Sequence, residues 1–246
     1  MTDYLERAGV PRLAYRYTPA VSGPTFVWLS GFKSDMSGSK VTVLEAWAKT
    51  TGCGFLAFDY RGHGLSDGQF EDGTISDWRA DALAAIDALT DGPLILVGSS
   101  MGGWIALLAT LELKSRVSAM VLIAPAPDFT EKLMWPDFST DQQAELMDKG
   151  MILRPSDYDA PYTITRALIE DGRTWSLLDE PIPFHGPVRI LQGMQDTDVP
   201  WRHAYRLVEA LESEDVVFTL VKDGDHRLSR DQDLERLVAV CADLIS

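Results

Sequence analysis

Two serines stand side by side in the run LVGSSMGGW (96–104), between glycines and directly after an apolar stretch. A serine hydroxyl attacks a carbonyl carbon only when a base takes its proton and donors receive the developing charge. The glycines decide which serine is in register. Gly98 and Gly102 flank Ser100 two residues away on either side, giving Gly-x-Ser-x-Gly. The same frame centred on Ser99 puts Val97 and Met101 there. PLILVG (93–98) reads as a strand and MGGWIALLATLEL (101–113) as a helix, so the pattern sits on the strand–turn–helix step that it requires. In such a turn the serine backbone is strained, and its hydroxyl stands at a helix N-terminus that favours negative charge. Ser100 is therefore the candidate nucleophile, and Ser99 a turn residue.

Four histidines are available as the base. His63 lies in the glycine-rich RGHGLSDG (61–68), His185 precedes a strand, His203 falls in a helix begun near Pro200, and His226 follows the last strand in KDGDHRLS (222–229). On this frame the chain order is serine, acid, histidine, which selects His226. His63 and His203 are left to structural or surface roles. The acid must hold the imidazole in one tautomer. Asp196 in Gly193-x-x-Asp196-x-x-Val199-Pro200 lies just past the PVRILQG (187–193) strand, at a carboxyl end where such groups belong. Asp198, and Asp128 after VSAMVLIA (117–124), remain as alternatives. Asp223 and Asp225 read as turn residues beside the base rather than as metal ligands, and no metal is expected. Two backbone N–H groups are expected to hold the oxyanion: Met101, after the nucleophile, and Phe32 in SGFKSDMSGSK (30–40).

The elements that must position these groups alternate along the chain. TFVWLS (25–30), FLAFDY (55–60), PLILVG, VSAMVLIA, PVRILQG and VVFTLV (216–221) are short and aliphatic throughout, as strands buried on both faces are. Helical spacing links Ile75, Trp78, Ala82, Ala85, Ile86 and Leu89, with Thr74 and Asp77 as a capping box. The C-terminal stripe of Leu234, Leu237, Val238, Cys241, Leu244 and Ile245 is expected to open on Ser229 and Gln232. The runs around residues 4–7 and 12–18 read as an antiparallel pair at the sheet edge. The sum is one α/β domain over residues 1–246, a doubly wound, mostly parallel sheet. Residues 125–185 break the alternation after the sixth strand. They are rich in Pro, Asp and aromatic residues, among them Phe129, Trp135, Phe138, Tyr158, Tyr162 and Trp175. A short, mostly helical cap is expected there, with Trp135, Phe138 and Trp175 as candidates for an apolar substrate pocket.

The formal net charge of −15 repels phosphate backbones and anionic lipid surfaces, which argues against nucleic-acid and membrane partners. Two cysteines, Cys53 and Cys241, fit small core residues. The polar, acidic start MTDYLERAGV and the lack of a long apolar run lead us to expect a cytoplasmic protein without a membrane span.

Taken together, GFKSDMSGSK, FDYRGHGLSDG, GSSMGGW, PIPFHGPVRILQGMQDTDVPW and DHRL resemble the α/β-hydrolase superfamily along essentially the whole chain. Within it they are similar to the branch of mitochondrial acyl-protein thioesterases also described as acyl-glucuronide esterases. The resemblance implies the α/β-hydrolase fold, Ser100, Asp196 and His226 as a triad, a short cap, no cofactor, and an acyl ester or thioester as substrate, small or borne on a protein. Where the superfamily often carries His-Gly, this chain has Ser30-Gly31. The expected activity is ester or thioester hydrolysis through an acyl-enzyme, with medium to long apolar acyl groups. Carbon–carbon bond hydrolysis or perhydrolysis on the same triad, or a non-catalytic binding module, are the alternatives.

Overall fold

The computed structural model describes residues 2–154 and 161–245. The chain opens on β1 (Asp3–Leu5) and β2 (Leu13–Thr18), paired antiparallel as the sequence leads one to expect. β2 pairs antiparallel with β4 (Gly54–Phe58), and β4 pairs in parallel with β3 (Thr25–Leu29). β5 (Leu94–Ser99), β6 (Val117–Ile123), β9 (Val188–Gly193) and β10 (Val216–Val221) continue in parallel, giving the order β1-β2-β4-β3-β5-β6-β9-β10. The loops after β3, β5, β9 and β10 therefore leave the sheet at one edge, the carboxyl edge of the parallel strands, where α/β sheets place ligands.

Burial on both faces holds that edge in place. Val27, Leu29, Leu94, Leu96, Met120 and Leu122 face one core, shared with α2 (Ile75–Leu89), α3 (Met101–Leu113) and α7 (Trp201–Ala210). The alternate residues Phe26, Trp28, Ile95, Val97, Ala119 and Val121 face a second core with α1 (Ser39–Thr51) and α8 (Asp231–Asp243). Each such side chain contributes roughly 1.5–3 kcal/mol when fully buried, so the central strands are firmly registered. Both cysteines are buried core residues, and burial pushes the Cys241 thiol up. VVFTLV departs from the expectation. As β10 it has a neighbour on one side only and leaves Val217 and Leu220 exposed, so its aliphatic run marks an edge strand.

The Thr74–Asp77 capping box opens α2 as its spacing predicts. The last helix opens one residue later than expected: Arg230 is its cap residue, and the Arg230 N–H donates to Asp233 Oδ2 (3.3 Å), not Ser229 to Gln232. Asp233 wins because the Arg230 guanidinium also grips it, Nε to Oδ2 at 2.7 Å.

The described residues between β6 and β9 carry four helical segments and one short strand pair. A π-helical turn, Thr130–Met134, runs into α4 (Trp135–Asp137), followed by α5 (Thr140–Lys149) and α6 (Arg166–Arg173). Between α5 and α6 lie β7 (Met151–Arg154) and β8 (Tyr162–Thr165), an antiparallel pair that the sequence reading missed. Four-residue strands with one buried side chain each, Ile152 and Ile164, give too little alternation to read. Tyr158 lies outside the described residues. Among the described residues no helix is long and apolar enough to cross a membrane.

Candidate active site

Ser100 sits between β5 and α3 at φ 55°, ψ −119°, a conformation that costs a non-glycine residue on the order of 1–3 kcal/mol. Neighbouring strands stabilise it. The Ser100 N–H donates to Ile123 O (2.9 Å), and Ser100 O accepts from the Gly103 and Ala126 N–H groups (2.9 and 3.1 Å). The flanking glycines are required by close approach. A Cβ on Gly98 would collide with the Gly102 carbonyl, and one on Gly102 with the Leu29 and Ser30 carbonyls. The Gly-x-Ser-x-Gly register read from sequence is thus a packing constraint.

The loops after β9 and β10 are zipped together. Met194 N–H donates to Val221 O and Gln195 N–H to Gly224 O, both at 2.8 Å, and a Cβ on Gly193 would strike the Gly224–Asp225 backbone. This brings Asp196 and His226 together across 30 residues of sequence: His226 Nδ1 and Asp196 Oδ2 are 2.8 Å apart. The other ring nitrogen, Nε2, lies 3.1 Å from Ser100 Oγ. A carboxylate only accepts, so the network assigns the proton to Nδ1 and leaves Nε2 to accept from the serine hydroxyl. Asp225 shapes the histidine turn, its Oδ1 accepting the Leu228 N–H at 2.9 Å.

Asp196 is buried and well supplied with donors. Its Oδ1 accepts the Asp198 and Val199 N–H groups (3.0 and 2.8 Å), and its Oδ2 accepts Gln192 Nε2 (3.0 Å) besides the imidazole. Gln192, fully buried at the end of β9, escaped the sequence reading. The one signal was a polar residue inside an otherwise apolar strand. Asp198 is exposed and offers its own N–H to Asp196, although its carboxylate lies within 4.8 Å of the Asp196 and His226 ligand atoms. Asp128 is buried and fully used elsewhere, accepting from Ser176 Oγ and from the Leu177 and Leu178 N–H groups at 2.8–2.9 Å.

Among the described residues, neither of the two expected oxyanion donors has a backbone acceptor. Met101 begins α3, where the first N–H groups have no partner within the helix. The Phe32 N–H meets no acceptor among the described residues. Gly31, just before it, packs on the Ser100 turn: a Cβ there would lie 3.4 Å from Ser100 Cβ and 3.3 Å from Ser99 O. The remaining histidines are held apart from the serine by other bonds. His203 Nε2 lies 2.8 Å from Pro127 O, His185 is exposed beside Glu212, and His63 is buried against the loop that carries Phe32.

The aromatic residues fall into separate groups. Trp175 Nε1 donates to Ser76 Oγ (2.7 Å), its carbonyl accepts from Trp104 Nε1 (3.1 Å), and Arg79 covers its ring. Trp135 and Phe138 pack on each other, each beneath an arginine, Arg173 and Arg154. The rings that gather around Phe32 are instead Phe70, Trp78, Phe129 and Tyr162, at centroid distances of 4.9–5.9 Å.

Comparison with known proteins agrees with this architecture. A family model described as "alpha/beta hydrolase fold" matches residues 24–151. The chain is 37% identical over 245 residues to a Pongo abelii protein named palmitoyl-protein thioesterase ABHD10, mitochondrial, covering 99% of this chain and 79% of that one. The Homo sapiens protein of that name is 36% identical with the same coverage. The mouse α/β hydrolase domain-containing protein 10 structure superposes with TM-score 0.92 at 35% identity, covering 100% of this chain and 98% of that one. A crystal structure from Agrobacterium vitis S4 gives TM-score 0.96 at 45% identity over 100% of this chain and 99% of the other. The relatives are named as mitochondrial, and the expectation of a cytoplasmic protein finds no support in them. With the family model spanning just over half of its length and relatives above 35% identity along almost all of it, the chain belongs to the α/β-hydrolase family of enzymes.

Proposed function

We propose that this chain is a serine hydrolase of carboxylic esters and acyl thioesters, with Ser100, His226 and Asp196 as its catalytic triad. The observation that carries the reading is the continuous hydrogen-bond chain from Asp196 Oδ2 through the imidazole to Ser100 Oγ, at 2.8 and 3.1 Å. Residues 1–246 act as one catalytic unit, with residues 125–185 as its cap. Ser100 Oγ attacks the acyl carbonyl while His226 Nε2 takes its proton. The Phe32 and Met101 amides receive the oxyanion. Collapse expels the alcohol or thiol, protonated by His226, and leaves an acyl-enzyme. Water, deprotonated by the same imidazole, then releases the acid. Asp196 keeps the proton on Nδ1 and stabilises the imidazolium. The acyl chain lies along the apolar rings beside the oxyanion loop, Phe32 and Phe129 foremost, which favours medium to long chains over acetyl. The thioesterase name of relatives at 36–37% identity supports acyl thioesters, on small molecules or on proteins, as the substrate class.

The test is a fluorophosphonate probe followed by peptide mapping on wild type and Ser100→Ala, with a chain-length panel of esters and thioesters. An adduct on Ser100, absent from the variant, and a kcat/KM that rises with chain length are expected. An adduct on Ser99, or no adduct on folded protein, overturns the nucleophile. Higher kcat/KM for acetyl substrates overturns the acyl preference, and turnover only of carbon–carbon or peracid substrates overturns the ester reading.

A further inference from the structure

The loop that carries Phe32 is strained in a way its own residues do not explain. Lys33, the next residue, has φ 54°, in the left-handed region, although it is not glycine. A turn bond from Ser34 N–H to Gly31 O (3.1 Å) closes the loop around Phe32. What holds it comes from the other glycine-rich run, FDYRGHGLSDG (58–68). The Lys33 N–H donates to His63 Nε2 at 3.2 Å, and the Met36 N–H donates to Asp59 Oδ1 at 2.8 Å. One loop is thus fixed by acceptors at both ends of its turn.

His63 is built as an acceptor. Its Nδ1 lies 3.1 Å from Arg61 O, which only accepts, so the ring proton sits on Nδ1 and Nε2 is bare. The ring is 4% exposed and wedged among Tyr60, Phe70 and Trp78, at centroid distances of 5.2–5.7 Å. Burial lowers its pKa and keeps it neutral, with the Arg61 carbonyl as its backbone partner and Asp81, Lys33 and Asp35 as the charged groups around it. Asp59 is 1% exposed, and its second oxygen accepts the Leu65 N–H at 2.8 Å, tying the two loops together. Gly64 is glycine because a Cβ there would strike the Asp59 carboxylate. The RGHG run therefore wraps one buried acceptor and presents another.

We propose that His63 is a positioning residue that, with Asp59, clamps the oxyanion loop and so aims the Phe32 N–H at the developing oxyanion. This deepens the serine-hydrolase reading and rests on it. The Phe32 N–H lies between two restrained groups: Gly31, in contact with Ser100, and the Lys33 amide, anchored on His63. Loss of the anchor lets the strained Lys33 relax and turns the Phe32 donor away. The loss falls on the transition state, because a ground-state carbonyl depends far less on that donor.

The experiment compares wild type with His63→Phe, His63→Asn and His63→Gln. It reads kcat, KM and the affinity for a trifluoromethyl ketone carrying the substrate's acyl chain, whose adduct with a serine mimics the oxyanion. Asn keeps a donor for Arg61 O but withdraws the acceptor from Lys33, and it serves if the Phe variant does not fold. Gln places an oxygen where Nε2 was. Phe and Asn are expected to lower kcat about 10–100-fold with KM changed less than about threefold, and to weaken the ketone in parallel. Gln is expected to restore most of both. Folded Asn protein with wild-type kcat and ketone affinity overturns the clamp, as does a Gln variant no better than Asn. Ser100→Ala is run alongside. If it retains turnover, the serine-hydrolase reading itself fails; if it is inactive while the His63 variants are unimpaired, only the clamp fails.

Discussion

The loops at the carboxyl edge of the sheet and the described residues between β6 and β9 are built on different rules. At the edge, Ser100, Asp196 and His226 are placed by backbone. Ser100 stands on a strained turn fixed by carbonyl contacts, and Asp196 and His226 sit on two loops zipped by main-chain hydrogen bonds. Between β6 and β9, side chains are used up on one another and on anchors. Asp128 ties residues 176–178, Trp175 ties to Ser76 on α2, and arginines cover Trp135 and Phe138. Backbone placement demands particular residues at particular spacings. Packing demands only apolar volume, and many sequences meet it. The first region can therefore be read residue by residue and the second only by composition.

Four changes break or sharpen that contrast. The largest effect is expected from Asp196→Asn, which keeps the shape but frees the imidazole to take the wrong tautomer. The kcat should fall about ten-thousandfold with the melting temperature little altered, as read by steady-state kinetics and thermal scans. A drop below about tenfold would hand the acid role to Asp198. Next is Gly102→Ala, whose methyl meets the Leu29 and Ser30 carbonyls. Denaturant unfolding should register a loss of about 3 kcal/mol, against near neutrality for alanine at exposed Gly38.

Acid is expected to act through packing rather than through the edge alone. His63 and His203 are buried and their pKa values are lowered from 6.5 by that burial. The unfolded chain therefore takes up these protons first. Stability is intact above about pH 6.5 and falls as pH drops below it, until the folded-state histidines also protonate. The slope is at most about 1.4 kcal/mol per pH unit for each histidine. Urea midpoints between about pH 5 and 7.5 would record it, and His203→Gln should shallow the slope. The smallest effect belongs to Trp175→Phe, which loses the bond to Ser76. About 1 kcal/mol of stability should go, with the chain-length profile of kcat/KM unchanged. A shifted profile would return Trp175 to the substrate pocket.

The legibility of the molecule follows the same division. The strand runs 25–30, 55–60, 93–98, 117–124 and 187–193 could be read because both faces are buried, and the Thr74–Asp77 cap because its bonds are local. The β7–β8 pair was too short to read, and the edge position of β10 depends on which strand has no neighbour. Gln192 and Asp59 look like any polar residue in a strand end until their partners are known.

By itself the sequence determined the Gly-x-Ser-x-Gly register of the turn at Ser100 and the parallel α/β alternation. Each is encoded in steric limits or in periodicities within a few residues. Only the tertiary structure decided that Asp196 rather than Asp128 meets His226, that His63 grips the Phe32 loop, and that the Phe129 ring packs on Phe32. Those choices depend on contacts between residues 30 or more apart in the chain, and a hydrogen-bonding side chain carries no mark of which distant partner will reach it.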